Sequence, residues 1–543
     1  MAQRHSKKVP KYLQVIKVRE SRNRTIKHLG SIVMLKAMAE RMNIRGFVDS
    51  IMPMDRESDG GLTHGQIVEA LVINRCHAPV PLYDMAYWAG LSGLSDLYGV
   101  DPSKFNDDRI RVTLDLLHGY TNDIQSGLAL RAMSEFNVPA KELLYDITSV
   151  FFKGDHANSE YVEYGYSRDN KPDKKQVNVG LTVSKEGSVP FFGTVLTGGT
   201  ADTATVESNV IALKSVLKRN HFLQITDSGM LAPANVHTLE QQNISFVAPW
   251  RATTDLLDLV DDAALTLEEV PYRGAKGADL YRVAELGIKV TYEEELTDKK
   301  HVYWQRAIIV ESSSKQSRDA KTRIKRLTSL DESLETMRSG LNVRRLKTRA
   351  QAEAKLDRIF SGPCAQYRPC FNLQLEGPDL DMKLTWSVNE TALNRLKNRE
   401  GRYVLLTNLK NPEEHTPQSI LELYKTRNAV ENRMRDLKSN LKIRPLFVQT
   451  DDRILSLVLI TIIGLQLYSL IEWEAHQAQE QWTTRFLKKK FAQVCMLQTI
   501  NADGTIEIEW CNLTSALQRT LKKLGLKLPD LPDRLFYFVD EDG

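Results

Sequence analysis

Tyr424, Arg427, Glu431 and Lys438 stand in the stretch LELYKTRNAVENRMRDLKSNL, with two, three and six residues between successive members. At roughly 100° per residue on an α-helix, their side chains fall within about 60° of one another. One carboxylate, two cations and a phenol on one face suit a place where a metal ion meets phosphates. The same residues also suit a solvated charged helix with i,i+4 pairs. Two further acids bear on the choice. Asp146 lies in KELLYDITSVFF, a β-branched and aromatic run with Leu144, Asp146, Thr148 and Val150 on one face of a strand. An acid among apolar strand neighbours is costly unless it is paired or binds metal. Asp227 lies at the carboxyl end of the apolar strand in HFLQITDSGM, before Gly229 and the helix-forming APANVHTLEQQ. There it also suits an N-cap or a turn. Two strand-borne aspartates and one helix-borne glutamate can bind two divalent cations, which clamp the attacking and leaving oxygens of an in-line phosphoryl displacement.

The elements that must position these acids follow from hydrophobic periodicity. From Lys141 onward the sequence reads as the Asp146 strand, VNVGLTVSKEG, VPFFGTVLTGG, a helix in TATVESNVIALKSVLKRN, and then the Asp227 strand. Three strands, a helix and a fourth strand are the order of a ribonuclease-H-like core. About 200 residues separate Asp227 from Glu431, far more than a loop occupies. They are expected to hold an inserted domain, with strands in YRVAELGIKVTYEEEL, HVYWQRAIIVES, CFNLQLE and MKLTWSV. Between these runs a charged helical region carries Leu327, Leu330, Leu334, Met337 and Leu341 at 3,4 spacing. That seam suits helix packing within the chain better than an intermolecular coiled coil, which needs more heptads.

The expected class is therefore α/β: a ribonuclease-H-like catalytic core interrupted by a β-rich plus helical insertion, with a helical N-terminal domain. The expected divisions are a basic arm and β-hairpin over 1–32, turning at Ser21–Asn23, and a helical N-terminal domain over 33–139. The first part of the core covers 140–255, the insertion 256–392, and the second part of the core 393–475. A C-terminal region of open role covers 476–543.

The order Asp146, Asp227, Glu431, together with the Tyr424, Arg427, Glu431 and Lys438 helix, resembles the DDE transposases of bacterial insertion sequences. Within them it is similar to the insertion-sequence-four superfamily, whose signature is that Y-R-E-K tetrad. GYSRDNKPDKKQVNVGL, ITDSGM, GRYVLLTN and LKIRPLFVQTDDRI are similar to the insertion-sequence-sixteen-thirty-four group. The resemblance spans residues 12 to 475, and Ser228 stands where many relatives carry Arg. It implies two Mg2+ (or Mn2+) ions on Asp146, Asp227 and Glu431, cleavage at an element's ends, and attack of the freed 3′-hydroxyl on target DNA. It also implies DNA end binding by the helical domain over 33–139, which by its residues alone equally suits a scaffold or dimer contact. Arg427 and Lys438 would hold flanking phosphates, and Tyr424 would donate a hydrogen bond to one. The superfamily frees the second strand through a DNA hairpin. Tyr403 aligns where some relatives carry an aromatic platform for an unstacked base, although a tyrosine on a strand also suits core packing. The implied partners are double-stranded DNA, as inverted-repeat ends and target, and a second copy in a homodimeric synaptic complex. A ribonuclease-H-fold nuclease without strand transfer, or a domesticated DNA-binding protein, are the alternatives.

Composition agrees with a protein of this kind. Hydrophobic residues make up 42% and charged residues 26% of 543, the balance of a globular chain too long for one core. A net charge of +4 means that any DNA surface comes from distribution, such as the basic run from Arg4 to Lys27. Five cysteines without metal-ligand spacing suit free thiols in a reducing bacterial or archaeal cytoplasm. The apolar stretch Leu455–Ile471 is interrupted by Ser456, Thr461, Gln466 and Ser469 and falls short of a comfortable span. It is expected as a buried core helix, with no membrane partner.

Overall fold

The computed structural model describes residues 24–53, 61–154, 156–250, 265–272, 279–294, 297–343, 345–443, 448–500 and 506–531. They show a mixed α/β architecture with many helices. The chain forms two units and crosses between them repeatedly. The first comprises Met1–Ala201, Ile211–Arg219 and Ala429–Gly543; the second comprises Asp202–Val210 and Asn220–Asn428.

In the first unit, strands Glu142–Phe151, Gln176–Ser184 and Pro190–Thr197 form an antiparallel meander with Gln176–Ser184 in the centre. Every residue of the central strand is buried, as its run of valines and leucine requires. Helices Ile32–Met42, His64–His77, Asp107–Leu117 and Thr121–Glu135 run through the N-terminal part of the described residues. The apolar stretch lies in the helix Asp451–Gln477. By length and composition this helix could cross a membrane, but 94% of its most apolar window is buried inside the protein. Its polar side chains and its backbone are satisfied there. Ser456 donates to the Leu114 carbonyl at 2.6 Å, Gln466 to the Pro190 carbonyl at 3.0 Å, and Trp473 to the Phe136 carbonyl at 2.8 Å. The Cys76 thiol donates to the Gly464 carbonyl at 3.4 Å. Such bonds offset the desolvation that buried hydroxyl and amide groups would otherwise suffer.

The expected N-terminal hairpin falls mostly outside the described residues. Residues 12–23, which include its turn, lie outside the described residues. The described strand Arg24–Lys27 pairs antiparallel with Cys495–Ile500, which in turn pairs with Ile506–Cys511. The anchor is polar. Buried Lys27 lies 3.8 Å from Asp96 and donates to the Gly90 carbonyl at 2.8 Å, while Gln498 donates to Asp96 at 2.9 Å.

The second unit carries a sheet in the order Leu223–Ile225, Ser245–Trp250, Arg402–Thr407, Lys300–Ser312, Tyr281–Glu293 and Glu268–Val270. The first pair is parallel and the rest antiparallel. Arg402–Thr407 thus has Ser245–Trp250 on one side and Lys300–Ser312 on the other. The long hairpin expected in a separate insertion instead extends this sheet: Lys300–Ser312 pairs with Tyr281–Glu293 on one edge and Arg402–Thr407 on the other, and its Ala307–Ser312 stretch is continuously buried, as a strand covered on both faces is. Only the stretch that follows closes a core of its own. Leu330, Leu334, Met337 and Leu341 pack there with Ala352, Leu356, Phe360, Tyr367 and Phe371, and Leu327 lies at the edge. The leucine seam is therefore packing within one chain.

Candidate active site

Asp146 sits in mid-strand opposite Leu181. It is partly exposed between buried Tyr145 and Ile147, and its carboxylate accepts the Ile147 N–H at 2.8 Å. Glu431 lies in the first turn of the helix Asn428–Ser439, where a carboxylate is favoured by the helix dipole. That helix buries Val430, Arg433, Met434 and Leu437. Arg433 is its polar anchor: it donates to the carbonyls of Ser188 at 3.0 Å and Gly187 at 3.2 Å, and it pairs with Asp436 at 3.2 Å and Glu472 at 2.8 Å. Burial pushes the Asp436 carboxyl upward, and the Arg433 charge opposes it. Gly187 has φ +73°, and a Cβ there would meet Trp473 at 2.6 Å, so the turn that receives Arg433 requires glycine. Lys438, further along the helix, pairs with Asp169 at 2.8 Å. Asp169 lies in the loop between the strands Glu142–Phe151 and Gln176–Ser184.

Asp227, Tyr424, Arg427 and Tyr403 belong to the second unit. Asp227 follows the strand Leu223–Ile225, and its carbonyl accepts the Met230 N–H at 3.1 Å as the 3-10 turn Ser228–Met230 begins. The Ser228 side chain lies outside what is described. The Asp227 carboxylate takes the Arg427 guanidinium at 2.5 Å. Asn235, on the helix Pro233–Gln241 beyond the turn, donates to the carbonyls of Met230 at 2.6 Å and Thr203 at 2.8 Å, which fixes the turn.

The expectation of one helix carrying all four tetrad residues is corrected. Tyr424 is on the helix Pro417–Lys425, Arg427 lies in the break after it, and Glu431 and Lys438 are on Asn428–Ser439. The break is local. The Thr426 hydroxyl donates to the Leu423 carbonyl at 2.6 Å, its N–H bonds the Glu422 and Leu423 carbonyls at 3.2 Å, and the Arg427 N–H bonds Tyr424 at 3.1 Å. A side chain competing for helical carbonyls tightens the last turn and ends the helix.

Tyr403 lies on the strand Arg402–Thr407 with its ring 6.1 Å from that of Tyr424. The Lys425 ammonium sits 5.3 Å from the Tyr403 ring centre and 4.6 Å from that of Tyr281. The Tyr403 hydroxyl is buried with no hydrogen-bond partner among the described residues. Burial, then the neighbouring Tyr281, raise its pKa. Burial also lowers that of Lys425, against the pull of Asp279. This is the environment of a packed tyrosine.

Among the described residues no three His, Cys, Asp or Glu side chains form a group that could hold a metal ion. Asp169, Arg433, Asp436 and Glu472 were not singled out in the sequence. Arg433 alone carried a signal, a cation on the apolar face set by Val430, Met434 and Leu437.

Residues 139–467, more than half of the chain, match the family described as transposase DDE domain. Residues 21–129 match a domain of unknown function (DUF4277). No curated protein matches the chain. Among solved structures it is similar to a cryo-EM structure of the piggyBac transposase synaptic complex with hairpin DNA. The TM-score is 0.38 and the identity 11%, covering 86% of this chain and 81% of that one. The chain belongs to the transposase DDE domain family and is an enzyme of the DDE transposase type.

Proposed function

We propose that this transposase cuts at the ends of an insertion sequence of the insertion-sequence-four superfamily and joins the freed 3′-hydroxyl to target DNA. The observation that carries this is the match to the transposase DDE domain over residues 139–467, which embraces Asp146, Asp227 and Glu431. These three are proposed as the acids on which cleavage depends, with Tyr424, Arg427 and Lys438 on the flanking phosphates. Two Mg2+ or Mn2+ ions are the proposed cofactor, and double-stranded DNA held by a homodimer is the proposed assembly. Excision through a hairpin, with Tyr403 under an unstacked base, belongs to the same proposal. It would require the Tyr403 ring to give up its packing with Tyr424 and Lys425.

The test is a labelled duplex carrying the element's end, incubated with the full chain and Mg2+ or Mn2+. Cleavage and joining are expected from the wild type. Asp146→Ala, Asp227→Ala and Glu431→Ala should lose cleavage while binding DNA within a few fold, because binding rests mainly on cations. Cleavage without joining would favour the nuclease. Cleavage retained by any one variant would remove that acid from the site.

A further inference from the structure

The two cations assigned to DNA phosphates are each engaged by a carboxylate of their own unit. Arg427 Nη1 lies 2.5 Å from Asp227 Oδ1, and Lys438 Nζ lies 2.8 Å from Asp169 Oδ1. The second pair is well shielded, with side-chain exposures of 13% and 11%, so salt screens it less than a surface pair. Its geometry is built in. Asn170 takes a left-handed turn at φ +54°, and the Arg168 N–H bonds the Ser149 hydroxyl at 3.3 Å; both fix the loop on either side of Asp169.

Guanidinium and ammonium groups attract carboxylate and phosphate oxygens alike as opposite charges, and Lys438 also donates a hydrogen bond to Asp169. We infer that Asp169 and Asp227 are internal competitors of the DNA phosphates, which must displace them from Lys438 and Arg427. This rests on the proposed assignment of those two cations to phosphate. A second consequence concerns Asp227, which is both a proposed metal ligand and the partner of Arg427. Transfer of Arg427 to a phosphate releases the Asp227 carboxylate, so divalent-ion binding and DNA binding strengthen one another. By linkage the coupling is reciprocal.

The experiment uses the full chain. Binding of a fluorescent duplex is followed by anisotropy, and binding of Mn2+ alone by calorimetry. Asp169→Asn should bind duplex about 3- to 10-fold more tightly, the range of a modest ion pair removed from competition. Lys438→Ala should bind more weakly, and the double variant should match Lys438→Ala. Arg427→Gln should bind Mn2+ about 10-fold more tightly than wild type, and duplex should raise the wild-type Mn2+ affinity.

If Lys438→Ala weakens duplex binding but Asp169→Asn does not strengthen it, the competition is refuted and the phosphate assignment stands. If Lys438→Ala leaves duplex binding unchanged, the assignment falls and the inference with it. Equal Mn2+ affinity in Arg427→Gln and wild type refutes the coupling. That arm decides alone should Asp169→Asn not fold.

Discussion

Replacing Arg433 by Ala should destabilise the first unit by about 3–5 kcal/mol, the range for breaking a buried ion pair and leaving its partners behind. The quarter exposure of both partner carboxylates places the cost in the lower part of that range. Arg433 is 8% exposed, and its loss strands the Asp436 and Glu472 carboxylates and two carbonyls in the Gly187–Ser188 turn. Urea unfolding at pH 7 measures the loss, and Trp473, packed against Gly187, is a local reporter. A pH arm gives the sign. Asp436 is already held above its ordinary value by burial, and without the cation its folded pKa rises further. A carboxyl raised in the folded state favours folding below its unfolded pKa, near 4. That contribution is lost as pH rises through the folded value. The variant should therefore regain stability relative to wild type as pH is lowered toward the unfolded carboxyl value near 4. Arg433→Met combined with Glu472→Met should recover part of the loss, since the double change removes one of the two stranded charges and leaves Asp436. A cost below about 1 kcal/mol, or a cost that does not shrink on acidification, would refute the anchoring role and leave the Glu431 helix held by Val430, Met434 and Leu437 alone.

Tyr403→Phe should be neutral or slightly stabilising in thermal melts, because it removes a buried hydroxyl that has no partner among the described residues. A marked loss would reveal a hydrogen bond of that hydroxyl. Leu334→Ala, at a fully buried seam position, should cost about 2–5 kcal/mol. Hydrogen exchange should rise over Leu327–Leu393 and leave the sheet of the same unit protected. His77 is driven down to about 3 by burial and then by the Lys488 charge. The unfolded chain therefore takes up its proton first, near pH 6.5, and stability falls as pH drops below that value. His77→Gln should lose about 2 kcal/mol less than wild type between pH 7 and pH 5 in urea titrations.

Much of the fold was legible because its determinants are local. The alternating runs around Asp146 and Asp227 and the seam at Leu330, Leu334 and Met337 announce their own periods. The Asp451–Gln477 helix could be read as buried from its Ser, Thr and Gln content. The helix break at Thr426–Arg427 was not legible, since either state satisfies the residues nearby and one hydroxyl tips the balance. Nor was the pairing of Lys438 with Asp169 or of Arg427 with Asp227, since no period links residues so distant in sequence. The joining of Tyr281–Glu293 and Lys300–Ser312 to the sheet of Arg402–Thr407 was missed for a related reason. Strand character is written in the residues, but the choice of neighbour depends on which edge is open.

The path of the chain also sets an order of assembly during synthesis. The second unit is nearly continuous, from Asn220 to Asn428, whereas the first needs Met1–Ala201, Ile211–Arg219 and everything from Ala429 onward. The strand Arg24–Lys27 has its partner in Cys495–Ile500. At about 5–20 residues per second, roughly 15–60 s separate the emergence of Arg219 from that of Ile500. For most of that interval the meander lacks the helix Asp451–Gln477, and the apolar side chains that helix covers face solvent or a chaperone, while the second unit can close once Asn428 has emerged. A ribosome stalled within the second unit would release a chain whose larger proteolytic weakness lies in residues made first.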